Sequence, residues 1–566
     1  MSRGLRPIRS MRAIVSKQAI TLTAPETMLI SSASLSADFP NTNGFVQADG
    51  STTHNVGDFL DPSNPRAHVS IRGGQIGGAA IDDQVDEFKL SGVWDQGNDR
   101  GLVRARFGAG VSNERRSVAF FDNTTSGTHA ILAGYLEQGD SGSFNGVPIP
   151  TFDIPDSVFS VFDAGSGFLG SISGGGSSTT QWLRFDAEEV FDLFEANTGI
   201  NHDAVQTGAS YVVDEDTDFA YLEFDFAGEL GKMPITAIFG ARYEATDVRV
   251  NGTSVPLEAL TIIDETEFGR VFSDATPVVA TSDYSVLLPS LSVRLDVTDN
   301  LIARFAASRT LTRPTLADLT PVLTIVTTRP GGNLTARSGN AALRPFKSDN
   351  LDLSVEYYYR RSSYISLGYF QKNVDNFIVA GATDTTFTDS NGNVVADPLT
   401  GEDAIFTLTT PTNGETAQVS GIEFAFQHTF DVGLGFIFNA TLTDSDAELD
   451  VQNTAQTFAL PGLSDSFNVV GFFERGPFQA RIAYNRRDTF LQSLSQSAGA
   501  EEPVFVEDYQ QWDLSGSYAF TDRLTVFAEV INLTEEEVIR HGRFENQFLS
   551  VDDPGRRIGF GIRAVF

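Results

Sequence analysis

The residues of this chain that could do covalent or metal chemistry are few and poorly spaced for it. Six histidines, His54, His68, His129, His202, His428 and His541, are scattered, and no two of them have metal-ligand spacing. Cysteine is absent, so neither disulfides nor thiolate metal sites can form. Gly139-Asp140-Ser141-Gly142 matches the nucleophile tetrapeptide of one class of serine hydrolases, but it lies in a Gly/Ser-rich stretch without the rest of such an enzyme. A match this short specifies little chemistry. We expect no catalytic residue, no metal site, no cofactor and no enzyme activity.

Two acidic runs, Asp214-Glu215-Asp216-Thr217-Asp218 and Asp444-Ser445-Asp446-Ala447-Glu448, hold enough hard oxygens for Ca²⁺. Neither has the glycine and terminal bidentate glutamate of an EF-hand loop, so a solvated acidic rim is the better reading. The formal net charge of −35 excludes the positive footprint that nucleic acid needs. A third set of charges is Arg104, Arg106, Arg242, Glu244, Arg294, Arg304, Glu356, Glu423, Arg481 and Arg487. Each sits on the polar side of a segment that alternates polar and apolar residues.

Those alternating segments are the elements that must position everything else. In the last ten residues, Ile558, Phe560, Ile562, Ala564 and Phe566 fall on one face and Arg557, Gly559, Gly561 and Arg563 on the other. Period two means a strand between two different environments. The same pattern recurs at 103–109, 235–244, 291–297, 351–360, 422–427, 478–485 and 512–520, giving roughly fifteen strands from about residue 85 onward. The connections alternate short and long. Tight turns fall near 96–100, 231–233, 298–300, 360–363, 431–433, 475–477 and 521–523. Long polar stretches fall near 114–215, 251–282, 313–345, 379–414, 446–463, 490–507 and 541–553. A soluble β-sandwich has no reason to make every second connection long. No run of about 18 apolar residues exists, so a membrane role requires a barrel. The predicted fold is all-β: an antiparallel transmembrane β-barrel, partial, of about 14–16 strands, with short periplasmic turns and long extracellular loops. Trp94, Trp512, Tyr357, Tyr358, Tyr359 and Tyr518 lie near strand ends and suit an interfacial girdle. Within the longest loop, Asp186 and Glu189 are spaced as a capping box before Val190, Phe191 and Phe194, predicting a short helix. It either packs that loop against itself or lines a vestibule. Residues 1–60 are expected to be irregular. Arg3, Arg6, Arg9 and Arg12 are followed by no sustained apolar core, so no signal peptide is read there.

Several motifs carry a family resemblance. Residues 307–321 read Ala-Ser-Arg-Thr-Leu-Thr-Arg-Pro-Thr-Leu-Ala-Asp-Leu-Thr-Pro, and residues 339–352 read Gly-Asn-Ala-Ala-Leu-Arg-Pro-Phe-Lys-Ser-Asp-Asn-Leu-Asp. With Val419-Ser420-Gly421-Ile422-Glu423, Asn532-Leu533-Thr534 and the segment from Asp553 to the terminal phenylalanine, they resemble the barrel of TonB-dependent receptors of the Gram-negative outer membrane. The resemblance covers roughly residues 60–566, closest to the large proteobacterial subgroup, and sets a barrel at 61–566. It implies uptake of a scarce nutrient, whether a siderophore, cobalamin or a carbohydrate, by binding and gated passage. A passive porin-like channel and a surface all-β binding protein stay open as alternatives. The family barrel has 22 strands behind a plug and a TonB-contact segment. No counterpart of either is read here, so a truncated chain is expected, reaching TonB only through a missing plug. The resemblance further implies that Phe560, Ile562, Ala564 and Phe566 form the signal read by the barrel-assembly machinery. Arg309 and Arg313, near the outer rim, are the candidates for plug or substrate contact. Expected partners are outer-membrane lipid, lipopolysaccharide bridged by divalent ions to the acidic rim, and a small-molecule or oligosaccharide ligand.

Overall fold

The structure is a computed structural model that describes residues 76–122, 210–262, 268–330, 333–454, 456, 458–494 and 502–565, with shorter segments elsewhere. Among the described residues from Ile76 onward, fifteen long strands form its wall: β1 (Ile76–Asp95), β2 (Gly101–Asp122), β3 (Tyr211–Leu230), β4 (Met233–Ser254), β5 (Thr276–Thr298), β6 (Leu301–Thr312), β7 (Phe346–Arg360), β8 (Ser363–Thr385), β9 (Phe406–Thr429), β10 (Leu434–Ser445), β11 (Ser466–Arg475), β12 (Phe478–Arg487), β13 (Tyr509–Thr521), β14 (Leu524–Ile531) and β15 (Arg557–Ala564). From β4 to β15 each strand pairs antiparallel with the next. A sheet of this kind satisfies its backbone groups between strands, which lipid demands. The tight turns fall where the sequence places them. Gly231, Gly433 and Gly476 take positive φ of 70°, 93° and 58° there, a conformation that glycine adopts without a Cβ penalty.

One face of this wall is apolar and exposed. The rung Leu353–Tyr369–Ile422–Leu442 and the rung Ile482–Leu514–Val530–Ile558 each cross four strands. Along the last strand Ile558, Phe560 and Ile562 reach 70%, 88% and 71% exposure. A contiguous exposed apolar band of this kind marks a lipid-facing surface. On the opposite face, aromatic rings lie over glycines of the neighbouring strand. A Cβ at Gly561 would sit 2.5 Å from the Phe527 ring, and one at Gly435 would sit 2.2 Å from that of Phe472.

The strands run longer than the alternation predicts. β2 continues to Asp122 and β3 starts at Tyr211, so the longest loop spans 123–210 rather than 114–215. The expected loops at 251–282 and 379–414 shrink to 255–275 and 386–405. Only about 9–11 residues are needed to cross the hydrocarbon. Beyond it both faces are wet, so the hydropathy pattern fades while backbone pairing continues. Within residues 1–60, Ser10–Leu22 is a strand, and Leu29–Ile30 and Ser34–Ala37 are short ones. Ile14, Val15, Ile20 and Thr21 are β-branched and suit an extended backbone.

The chain divides into two compact units. The larger holds Met1–Ala19, Gln84–Arg115 and Val213–Phe566. The smaller holds Ile20–Asp83 and Arg116–Val212, with hairpins such as Phe159–Asp163 against Gln181–Phe185. In the expected loop helix, Glu189, Asp192, Leu193, Glu195 and Ala196 are helical; its capping Asp186 lies outside the described residues, as do Gly139–Gly142.

Within the larger unit, three long loops share a core that the sequence pattern does not reveal. Leu257, Leu260 and Phe268 follow β4, Ile325, Leu334 and Ala336 follow β6, and Val395, Ala404 and Phe406 follow β8. Thr328 Oγ1 donates to the Phe268 carbonyl (2.8 Å) and Arg270 Nη1 to that of Ile325 (3.0 Å). Glu258 accepts from the backbone and hydroxyl of Ser390 at 2.9 and 3.0 Å. A second outer assembly is the sheet of Phe490–Ser493, Val504–Val506, Val538–His541 and Phe548–Asp552.

Candidate functional site

The face opposite the apolar band holds the charges, and they pair. Arg106 meets Glu223 and, at 2.7 Å, Asp225. Arg304 reaches Glu356 on the neighbouring strand at 2.8 Å, and Arg294 reaches Asp296 at 2.8 Å. Period-two geometry puts all of them on one face, and antiparallel register sets opposite charges on adjacent rungs. Most of these pairs are half-exposed, so each contributes little stability; together they hydrate and order a polar wall.

One cluster is different because it is buried. Alternation within the acidic run turns Glu215 and Thr217 inward, at 5% and 6% exposure, while Asp216 and Asp218 face solvent. On β4, Glu244 and Thr246 are buried beside them, and on β5 Tyr284 completes the row. Arg313, the first residue past β6, reaches in from the loop. Its Nε lies 2.5 Å from Glu215 and donates to Tyr284 Oη at 3.1 Å; its Nη2 donates to Glu244 at 2.8 Å. Arg242 holds the other side of Glu244 at 2.5 Å and stacks 3.9 Å over the Phe219 ring. The hydroxyls of Thr217 and Thr246 pair at 2.9 Å. Two carboxylates and two guanidiniums balance, as burial of charge requires.

The two candidate rim arginines are therefore not together. Arg313 locks the start of the 313–345 loop to β3, β4 and β5. Arg309 forms a bidentate pair with Asp349 directly across the β6–β7 ladder, at 2.7 Å for each bond, with both side chains largely exposed. The second acidic run does not split into buried and solvent-facing residues as the first does: Asp444, Asp446 and Glu448 are all exposed, and Asp446 accepts from the Gln418 backbone at 2.7 Å. Among the described residues no group of acidic or histidine side chains is arranged to hold a metal ion. Phe560, Ile562 and Ala564 share the lipid-facing side of β15, and Phe566 lies outside the described residues.

At the long-loop end of β10 to β13 the polar wall contains a cleft of ≈ 280 Å³, lined among others by Asn439, Asn468, Asn485 and Tyr509. Sequence reasoning missed it. The tight turn pairing Arg475 with Phe478 would have found it, since it forces Asn468 opposite Asn485. Nearby, outside the spanning strands, burial pushes the Glu536 carboxyl above the usual carboxylate range. The Gln510 backbone N–H donated to it opposes the shift, and Asp508 and Glu537 add to it.

The family model described as TonB dependent receptor-like, beta-barrel matches residues 30–533. Among solved structures the chain is similar to "Copper transporter OprC", at 12% identity and a TM-score of 0.50, covering 87% of this chain and 58% of that one. It is similar to the ferric-catecholate import receptor Fiu from K12 E. coli, at 10% identity and a TM-score of 0.50, covering 88% and 56%. At these identities the likeness shows the fold alone. The chain spans little more than half the length of either protein. No curated protein matches the sequence.

Proposed function

The chain belongs to the TonB-dependent receptors, β-barrel proteins of the Gram-negative outer membrane that are transporters and not enzymes, and from that premise we propose that it serves the energy-driven uptake of a scarce nutrient. The observation that carries the proposal is the division of one antiparallel wall into an exposed apolar face and a face of paired charges, with every second connection long. Such a wall sits in lipid and presents a hydrated passage. The loop core built from Leu257, Phe268, Ile325, Leu334 and Phe406 gives the outer mouth a fixed surface against which ligand is captured. Arg313 positions the 313–345 loop at that mouth, and Arg309 contributes to its rim. The barrel region is residues 61–566, as the motifs suggest, and Phe560, Ile562, Ala564 and Phe566 serve its assembly. Acidic rim residues such as Asp216 and Asp218 bridge to lipopolysaccharide through divalent ions, and coupling to TonB drives release.

Uptake in the native host tests this. A strain lacking the chain is expected to lose accumulation of its nutrient, and a protonophore is expected to stop accumulation in the parent. Accumulation that survives the protonophore would instead identify a passive porin-like channel.

A further inference from the structure

The cleft at the loop end of β10 to β13 has a chemistry unlike the rest of the polar wall. Its floor is a single rung of backbone, Ala440–Phe467–Arg486, and the rungs on either side are its walls. One wall is a row of amides, Asn439, Asn468 and Asn485; the other is Thr441, Ser466 and Arg487. The Tyr509 ring closes one end. Arg487 is the one charged side chain of these walls, and it is already committed. Its guanidinium donates to Ser464 Oγ at 2.8 Å and the Gly462 carbonyl at 2.5 Å, and it stacks 3.7 Å over the Phe490 ring. No carboxylate lines the cleft.

What remains is neutral and two-sided. Asn468 donates to Asn485, which leaves the Asn468 oxygen, the Asn485 nitrogen and the Asn439 amide uncommitted among the described residues. Amides and hydroxyls each donate and accept. An anionic chelate would find no free cation there, and a metal ion no hard anionic ligand. A polyhydroxylated ring, whose hydroxyls also donate and accept, matches the rows of amides and hydroxyls. The volume is at the low end for ligand pockets, roughly 300 Å³, and suits part of a longer molecule better than a bulky chelate. The position suits first contact, where ligand leaving the outer loops meets the wall.

We propose that this cleft is a subsite for a neutral oligosaccharide, gripped through its hydroxyls by Asn439, Asn468, Asn485, Thr441 and Ser466, with the Tyr509 ring as an end wall. The proposal rests on the uptake reading above and names its ligand class.

The test is saturation-transfer NMR with titration, using the purified full chain in detergent micelles. The probes are maltotetraose, cellotetraose and xylotetraose, with a ferric tris-catecholate as the anionic comparison. At least one oligosaccharide is expected to bind saturably. The double variant Asn468→Leu/Asn485→Leu should weaken it about 10-fold or more, the loss of two net hydrogen bonds. Heat-modifiable gel migration checks that the variant is folded; if it is not, Ser466→Ala on the opposite wall should weaken binding about threefold to tenfold. Absence of binding by all three oligosaccharides overturns the proposal, as does binding that the folded variants leave unchanged. Binding of the catecholate alone overturns the ligand class while leaving the receptor reading standing. Loss of the receptor reading shows separately, as protonophore-insensitive uptake.

Discussion

Replacing Arg313 with alanine should unlock the 313–345 loop from the wall. The arginine joins Glu215 and Glu244, both buried, to the first residue of that loop. Breaking a buried ion pair by removing one partner costs about 3–5 kcal/mol, because the remaining charge is left desolvated. Two features reduce the figure here. The Arg313 side chain is 33% exposed, and Glu244 keeps Arg242 at 2.5 Å. Only Glu215 is orphaned, which leaves about 2–3 kcal/mol. At about 1.4 kcal/mol per decade, local opening should become roughly 30- to 140-fold more frequent. Amide hydrogen exchange reads this directly at Asp318 and Thr320, whose N–H groups donate to the Thr315 and Ala317 carbonyls around the buried Leu316 and Leu319. Adding Glu215→Gln removes the orphaned charge and should restore more than half of the protection. Arg313→Lys should restore little, since an ammonium cannot fork between two carboxylates. Exchange at Asp318 and Thr320 that rises less than threefold would refute the reasoning, as would a double variant no better than the single one.

Other changes have equally definite outcomes. Gly339→Ala would place a Cβ 2.4 Å from the Thr320 carbonyl and 2.6 Å from that of Asp318. Both carbonyls accept backbone bonds from Gly339 and Asn340, so about 1–3 kcal/mol of stability should be lost, seen as a lower melting temperature in detergent. Glu536 supplies a pH dependence. Its folded-state carboxyl holds a proton more tightly than the unfolded one. Its stabilisation is therefore complete below the unfolded value of about 4.3 and is lost as pH rises through the folded value. Glu536→Gln should gain on the parent in melting temperature across that interval, and a constant difference from about pH 4 to 7 would contradict the assignment. Phe566→Ala should lower the amount of heat-modifiable, folded protein in the outer membrane; unchanged levels would count against a terminal-strand assembly signal.

The strands and turns were legible because lipid and lumen impose opposite demands on alternate residues. Where that contrast stops, so does the legibility. β4 continues through Asn251, Gly252 and Thr253, pairing with Val279, Val278 and Pro277, although the sequence reads there as loop. The loop core was hidden for a different reason. Phe268 lies between Glu267 and Gly269 and Leu334 between Asn333 and Thr335, in separate loops, Phe406 opens β9, and no period links them. The buried charge cluster was half visible. Arg313 stood out at the rim, but its partners lie on three other strands, and the acidic run at 214–218 read as one solvated patch. Only the alternation of β3 shows that Glu215 turns inward and Asp216 does not.

The motifs that carry the family resemblance are nodes where the wall hands the chain to a loop and takes it back. Arg313 and buried Pro314 anchor the departure from β6. On the return, Asn340 Nδ2 donates to the Pro411 carbonyl, and Asn413 bonds both the backbone nitrogen and the carbonyl of Arg344. Leu343 is fully buried between them. Asn532 is a third node. It adopts a positive φ of 56°, donates to the Glu536 and Gly555 carbonyls at 3.0 and 3.2 Å, and accepts from the Glu536 nitrogen at 2.8 Å. Asparagine is the side chain that tolerates that backbone and can satisfy both strands of the loop. These residues are thus bound by the geometry of leaving and re-entering a sheet, whatever passes through it. The amide row Asn439–Asn468–Asn485 has no such duty: three alternating positions on straight strands would accept many polar residues. Selection for a ligand therefore has more freedom to act on the amide row than on the motifs, which is why the motifs identify the family and the row is the place to look for its cargo.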